Sequence, residues 1–245
     1  MNPKVMACWM SGTVLEARKV VKSFGRHLVL RGVDISVGAG DRYFLFGPNG
    51  AGKTTLVKVL SGLLKADSGQ VLLFGEPLEG DLSAIRARIG VLSHDPYLYG
   101  ELSAMENLDF FGQLYGVPDR ETRARELLKE VGLYARAHDR VGTFSRGMKQ
   151  RLGLARAMFH DPDLVLLDEP YTGLDLKAAS TLERLVRERS GEGKAFLAIT
   201  HDLGQGLEMA TRAGILAGGK LVTEADPTGW DGFTQRYLDE MGGGV

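Results

Sequence analysis

Short apolar runs recur along this chain, and between them apolar residues repeat every three to four positions. Residues 43–46, 89–93, 164–167 and 195–199 form compact, mainly apolar runs. Such runs are typical of strands buried on both faces of a sheet, and the longer segments have the spacing of amphipathic helices. Strands that alternate with helices predict an α/β core with a mainly parallel sheet and right-handed crossovers.

The two ends of the chain have a different pattern. Residues 14–22 alternate weakly between polar and apolar side chains and predict an edge strand, and residues 27–37 predict a second strand close to it. Near the other end, residues 213–223 predict a hairpin that turns at a Gly-Gly pair. Residues 228–241 are weakly helical, and the three glycines that follow predict a flexible end.

The middle of the chain is helical. Residues 102–159 contain no comparable strand and show helical spacing throughout. Ser103 begins a capping-box sequence that predicts the first helix, residues 118–130 predict a second, and Ser145 opens a third. We therefore predict a helical subdomain, at about 96–160, inserted between strands of the core.

Composition excludes several classes of protein. Of 245 residues, 44% are hydrophobic and 25% charged, and the net charge is −1. These values are ordinary for a globular protein and give no electrostatic sign of nucleic-acid binding. Cys8 is the only cysteine, so no intramolecular disulfide can form, which fits a reducing cytosol. No apolar run approaches the ~18–20 residues of a membrane span, so we expect any membrane role to depend on a partner.

A glycine-rich sequence follows the run at 43–46 and leads into a helical segment. Its pattern, G-x-x-x-x-G-K-[ST], is the phosphate-binding loop of P-loop nucleotidases. Glycines let consecutive N–H groups turn toward a phosphate, and the helix N-terminus adds partial positive charge. We expect Lys53 to lie along the β- and γ-phosphates, Thr54 to offer its hydroxyl to Mg²⁺, and Thr55 to cap the helix. The loop comprises Gly47, Pro48, Asn49, Gly50, Ala51, Gly52, Lys53, Thr54 and Thr55.

Two adjacent carboxylates follow the run at 164–167. Asp168 stands where a Mg²⁺–nucleotide site needs an acid, at the end of a buried strand, and would hold the ion directly or through water. Glu169 would orient and deprotonate the water that attacks the γ-phosphate. Asp-Glu-Pro also fits a simple turn at a strand end, and these residues alone leave that alternative open.

The order of motifs resembles the nucleotide-binding domain of ABC transporters over nearly the whole chain. The decisive sequence is Ser-x-Gly-Met-x-Gln, shortly before the carboxylates, which resembles the family signature. It is followed by Gly173-Leu174-Asp175 and by His201, in the order that the family has. The residues matched to the signature are Ser145, Arg146, Gly147, Met148 and Gln150.

The resemblance implies a fold and a division of the chain. The fold would be a P-loop NTPase core with a mainly parallel sheet, an N-terminal antiparallel β subdomain and an inserted α-helical subdomain. Residues 13–227 would form the ATPase domain. A disordered extension at 1–12 would precede it, and a short helix with a flexible tail at 228–245 would follow it.

The resemblance also implies a shared ATP site. In ABC proteins two such domains pair head to tail, and ATP lies between the phosphate loop of one and the signature of the other. Ser145 and the backbone at Gly147 would then face the γ-phosphate from the partner. His201 resembles the histidine that holds this phosphate and orients Glu169, and Asp175 resembles the acid that crosses the dimer interface.

Two further positions resemble family residues that contact adenine and Mg²⁺ or the attacking water. Phe24 takes the position of the aromatic residue that stacks on adenine, although without the resemblance it would also fit a ring packed in a hairpin. His94 most nearly occupies the place of a family glutamine that contacts Mg²⁺ or the attacking water, and imidazole differs from an amide in reach and protonation. Residues 97–101 are expected to border the groove that receives a cytoplasmic helix of a membrane subunit.

The function implied is that of an ATPase subunit, with ATP and Mg²⁺ as cofactors, which dimerises around two ATP and drives a separate membrane permease. Export is the expected direction of transport. The subtype that the resemblance favours is the haem-exporter ATPase of cytochrome c maturation, and exporters of drugs, lipids or polysaccharides are the alternatives. The expected location is the cytoplasmic face of a bacterial inner membrane, reached only through the permease.

Two other classes of protein are alternatives. A soluble ABC ATPase of DNA repair or translation is the main alternative. Against it, the sequence shows no long coiled coil, zinc cysteines or second ATPase domain. A P-loop GTPase or small-molecule kinase would have no reason to carry the signature.

Overall fold

The computed structural model describes residues 12–242, and its strands form two sheets. The predicted disordered extension and flexible end lie outside the described residues, apart from Gly12 and Gly242. The strands of the described chain are β1 (Thr13–Phe24), β2 (His27–Gly38), β3 (Arg42–Phe46), β4 (Ser68–Leu73), β5 (Glu76–Pro77), β6 (Ile89–Leu92), β7 (Leu164–Asp168), β8 (Ala195–Ile199), β9 (Arg212–Ala217) and β10 (Lys220–Ala225).

Helices fill most of the intervals between these strands. The α-helices of the described chain are α1 (Lys53–Leu60), α2 (Ser83–Arg86), α3 (Ala104–Leu114), α4 (Arg120–Glu130), α5 (Arg146–Met158), α6 (Leu176–Gly191), α7 (Leu203–Met209) and α8 (Trp230–Gly242). Short 3₁₀ turns lie at Tyr134–Arg136, Val141–Thr143 and Pro227–Gly229. None of the helices in residues 12–242 is both long enough and apolar enough to cross a bilayer.

The larger sheet has the order β10-β9-β3-β8-β7-β6. Its strands from β9 to β6 run parallel, and β10 is antiparallel to β9. The smaller sheet is antiparallel, with the order β2-β1-β4-β5. The predicted fold class is confirmed. Because β3, β7 and β8 are parallel neighbours, their carboxyl ends share one edge of the sheet, where ligands of such folds bind.

The prediction that residues 14–22 form an edge strand is wrong. The strand β1 lies between β2 and β4 and pairs with both. Its weak alternation reflects an irregular register, with bulges against both neighbours and Lys19 at a φ of 49°. The partner β4 follows β1 only after the phosphate loop and α1, so no local pattern within 14–22 could reveal the second pairing.

The larger sheet is covered on both faces. Along β3, Tyr43 and Leu45 belong to the core shared with the antiparallel sheet and α1, whereas Phe44 and Phe46 face the core built with helices α3 to α6 and α8. This alternation gives the strand two apolar faces, which explains why it is apolar throughout. Neither end of β3 can shift without disturbing both cores, so the phosphate loop begins from a fixed point.

The inserted helices begin where their caps predict. Ser103 and Glu106 form a reciprocal capping box at the start of α3. The Ser145 hydroxyl accepts a hydrogen bond from the Met148 backbone N–H and caps α5. The C-terminal segment differs from its weak pattern, since α8 buries Phe233 and Tyr237 in the core.

Candidate functional site

The segment between β3 and α1 follows a path that requires glycine. Gly47, Gly50 and Gly52 have φ values of 148°, 79° and 101°, a region that other residues rarely adopt. A Cβ on Gly47 would lie 2.0 Å from the carbonyl oxygen of Leu216 in β9. The start of the loop is therefore held against β9 too closely for any side chain.

Lys53 opens α1 and lies largely buried, with 9% of the residue exposed. Its Nζ donates to the carbonyl oxygens of Gly47 (2.7 Å) and Pro48 (3.0 Å), so the ammonium lies inside the curve of the loop. Burial lowers the pKa of Lys53, while the charges of Glu169 and Asp168 oppose that shift. A cation held at a helix N-terminus beside free glycine backbone is suited to phosphate.

Asp168 ends β7 with 3% of its surface exposed. Burial raises the pKa of Asp168, and the hydrogen bond from Thr54 is the largest effect that opposes it, followed by the charges of His94 and Lys53. The hydroxyl and the carboxylate are therefore neighbours, and both are hard oxygen ligands of the kind that Mg²⁺ takes. No cluster of three or more His, Cys, Asp or Glu suited to a metal occurs in residues 12–242.

Glu169 and His201 come together from the ends of two adjacent strands. His201 Nδ1 lies 2.9 Å from Glu169 Oε2. The Glu169 backbone has a φ of 53°, and its N–H donates to the carbonyl oxygen of Ile199 in β8 (3.0 Å). The carboxylate side chain is 22% exposed and the imidazole 72%. The pair can therefore meet a ligand bound over the sheet edge while its carboxylate stays partly shielded from water.

The signature residues tie α5 to the segment that follows β7. Gln150 is buried, and its Nε2 donates to the carbonyl oxygens of Glu169 and Pro170, both at 3.3 Å. A Cβ on Gly147 would lie 2.5 Å from the carbonyl oxygen of Gly173. Within the described chain Ser145 hydrogen-bonds inside the first turn of α5 and not to the phosphate loop.

The remaining predicted residues lie around this edge. Asp175 caps α6, because its carboxylate accepts from the Ala178 N–H at 2.8 Å. His94 follows β6, is exposed, and acts electrostatically on Asp168. Phe24 is 53% exposed, with Lys22 Nζ 5.8 Å from its ring centre, so the ring is not packed inside the hairpin.

One residue at the site was not predicted. The Tyr237 hydroxyl donates to the carbonyl oxygen of His201 at 3.3 Å. The signal was present, since Trp230, Phe233 and Tyr237 repeat at helical spacing and predict an apolar face. The sequence of this segment does not show which surface of the core its apolar face packs against.

Comparison with known proteins agrees with this arrangement. A family model described as "ABC transporter" matches residues 30–172. The linearmycin resistance ATP-binding protein LnrL of Bacillus subtilis is 33% identical over 85% of this chain and 68% of its own. The Nod factor export ATP-binding protein I of Burkholderia lata is 38% identical over 87% of this chain and 71% of its own.

Solved structures show the same cassette. One is the dimeric post-hydrolysis state of an ATP-binding cassette bound to ADP and Pi. It has a TM-score of 0.78 and 26% identity, and the match covers 86% of this chain and 98% of that one. Fold, site geometry and relatives therefore agree that this chain belongs to the ABC transporter family, as an ATP-binding subunit with ATPase activity.

Proposed function

We propose that this chain hydrolyses Mg²⁺–ATP at a site that a second copy completes, and that it drives export through a separate membrane permease. The observation that carries the proposal is the meeting of five side chains at one sheet edge. They are Lys53, whose ammonium lies inside the loop, the neighbours Thr54 and Asp168, and the 2.9 Å pair of Glu169 and His201.

Each group has a distinct part in hydrolysis. Lys53 would bind the β- and γ-phosphates, and Thr54 with Asp168 would hold Mg²⁺, which when bound offsets charge on the phosphate oxygens. Glu169 would orient the attacking water and accept its proton. His201 would contact the γ-phosphate and keep the carboxylate directed at that water, because its Nδ1 is already paired with Glu169.

A second copy of the chain would complete the site, because within residues 12–242 Ser145 hydrogen-bonds to its own helix and not to the phosphate loop. Ser145 and Gly147 are at the N-terminus of α5, where a helix offers free N–H groups and partial positive charge to an anion. Members of this family dimerise, and the cassette bound to ADP and Pi is a dimer. ATP would thus be held between the Lys53 of one copy and the Ser145 of the other.

The permease is proposed from the family and from an exposed aromatic surface. Tyr97 and Tyr99 follow β6 and are 52% and 50% exposed. The ring of Tyr99 packs on Phe110 and Phe111 of α3, with centroids 5.1 and 6.2 Å apart. This surface would receive the permease at the cytoplasmic face of the membrane. Names of relatives that include Nod factor export and linearmycin resistance favour an exporter.

Glu169→Gln tests the proposal most directly. The amide keeps the shape of the side chain but cannot accept the proton, so hydrolysis should fall by at least ~10²-fold. ATP binding and ATP-dependent dimerisation should persist, whereas Lys53→Ala should lose nucleotide affinity. Steady-state hydrolysis, fluorescent-nucleotide titration and sedimentation velocity would measure these effects.

The matched control is Glu192→Gln, at a carboxylate that pairs with Arg189 on the exposed end of α6. This variant should hydrolyse ATP like the wild type. Near-normal turnover in Glu169→Gln would remove Glu169 from its proposed role. Co-purification with ribosomes or DNA rather than with a membrane protein would contradict the transport function.

A further inference from the structure

The C-terminal helix α8 packs against the strand that leads into the phosphate loop. Phe233 and Tyr237 of α8 are 1% and 7% exposed. Their ring centroids lie 5.9 and 6.0 Å from that of Phe46, in edge-on contacts. Phe46 ends β3 and directly precedes Gly47. The helix is therefore part of the support of the loop rather than an independent tail.

A hydrogen bond joins the same helix to the other half of the site. The Tyr237 hydroxyl donates to the His201 carbonyl oxygen at 3.3 Å. Burial, together with the charges of Glu169 and Asp202, raises the pKa of Tyr237. The phenol therefore keeps its proton and remains a donor at neutral pH. One side chain contacts both the strand before the loop and the main chain of the histidine.

The direction of the His201 imidazole depends on its backbone. The ring is 72% exposed, so surrounding side chains restrain it little. The imidazole contacts the Glu169 side chain, and the main chain between β8 and α7 determines the position of the His201 Cα and Cβ atoms. A donor that fixes the His201 carbonyl therefore limits the rotation of the whole residue.

We propose that Tyr237 is a positioning residue for ATP hydrolysis, which holds the main chain of His201 so that the imidazole stays aligned with Glu169. The inference rests on the proposed roles of His201 and Glu169. Because the contact is to a backbone oxygen after β8 and not to the phosphate loop, its loss should slow hydrolysis without weakening ATP binding.

Tyr237→Phe in the 245-residue chain tests this, since it removes the hydroxyl and leaves the ring on Phe46. Loss of one hydrogen bond should lower kcat about three- to tenfold, with the KM for ATP within about twofold of wild type. The thermal unfolding midpoint should hardly change. Tyr134→Phe, at an exposed tyrosine of the helical subdomain, is the matched control and should leave kcat unchanged.

A second measurement separates positioning from a general structural effect. Single-turnover rates, which remain measurable in slow variants, would be compared for His201→Ala with and without Tyr237→Phe. If Tyr237 acts through His201, its substitution has no further effect in that background. An equal loss in both backgrounds, or an unchanged kcat in Tyr237→Phe alone, overturns the inference. If Glu169→Gln is inactive while Tyr237→Phe is normal, only the inference about Tyr237 fails. If Glu169→Gln is fully active, both the proposed function and the inference about Tyr237 fail.

Discussion

At the scale of single residues, Gly147 offers a test of how closely the signature must pack. A Cβ there would lie 2.5 Å from the Gly173 carbonyl oxygen, a contact that real side chains do not make. Gly147→Ala should therefore displace the first turn of α5, cost about 1–3 kcal/mol of unfolding free energy, and reduce ATP hydrolysis. Denaturant unfolding and steady-state ATPase assays would measure both effects.

The control for this substitution is Gly191→Ala, at the last residue of α6, where a Cβ would meet nothing within 4 Å. Alanine favours the helical conformation over glycine, so this variant should be neutral or slightly stabilised. If both variants behaved alike, the contact with Gly173 would not govern the signature.

Residues whose chemistry requires a sequence pattern could be predicted, and residues that act through tertiary contact could not. Lys53 and Asp168 were predicted because a phosphate loop and a strand-end acid have fixed local sequences. The pairing of Glu169 with His201 crosses two strands and was expected only from the family resemblance. Tyr237 was missed because the group it contacts is a backbone oxygen, which no sequence pattern marks.

At the scale of elements, the junction between the core and the inserted helices contains a half-buried histidine. His160 follows α5, places Nε2 3.0 Å from the Ile89 carbonyl oxygen, and stacks on Tyr115 at the end of α3 with ring centres 3.9 Å apart. Its Nδ1 is buried without a hydrogen-bond partner. Burial lowers the pKa of His160 to about 4, while the bond to Ile89 opposes the shift.

This histidine predicts a pH dependence of stability. An unfolded histidine titrates near 6.5, so between pH 6.5 and about 4 the folded chain binds fewer protons at His160 than the unfolded chain. The contribution of His160 to the unfolding free energy is therefore complete above pH 6.5. It decreases as the pH is lowered, by about 2 kcal/mol at pH 5. The difference in unfolding free energy between pH 7.5 and pH 5 should be smaller by that amount in His160→Asn.

The control for His160→Asn is the same substitution at an exposed histidine of the helical subdomain. His138→Asn changes such a residue, and this variant should keep the full pH dependence of the wild type. An equal fall in stability for wild type and His160→Asn would show that the pKa of His160 does not differ between the folded and the unfolded chain.

The sequence predicts the boundaries of a helix or strand where residues close in the chain determine them. The Ser103 and Ser145 caps fix where α3 and α5 begin, and the apolar runs became the central parallel strands. The position of β1 and the burial of α8 were not predictable in the same way, because each depends on a surface contributed by a distant part of the chain. The expected haem-exporter subtype stays a prediction, because the relatives reported above are named for linearmycin resistance and Nod factor export.

At the scale of the whole molecule, the composite site predicts that two inactive variants can restore each other. Lys53→Ala disables the loop side, and Ser145→Asp should keep the α5 cap while its charge repels the γ-phosphate. Each variant alone should be inactive. An equal mixture should recover about a quarter of wild-type hydrolysis, because random pairing makes half of the dimers hybrid, each with one intact site.

A mixture of Lys53→Ala with Glu169→Gln is the control, because both changes fall on the loop side of the site. No hybrid of these two variants contains an intact site, so activity should stay absent. Recovery in this control, or none in the first mixture, would contradict a site shared between two copies.

The backbone of Glu169 has one more consequence. Its φ of 53° lies in a region that favours glycine, and holding an L-residue there costs of order 1 kcal/mol or more. The same turn aims the carboxylate at His201. Glycine at position 169 would therefore suit the folded backbone better, whereas the proposed hydrolysis needs the carboxylate. Glu169→Gly should therefore be more stable than the wild type and lack the proposed catalytic base.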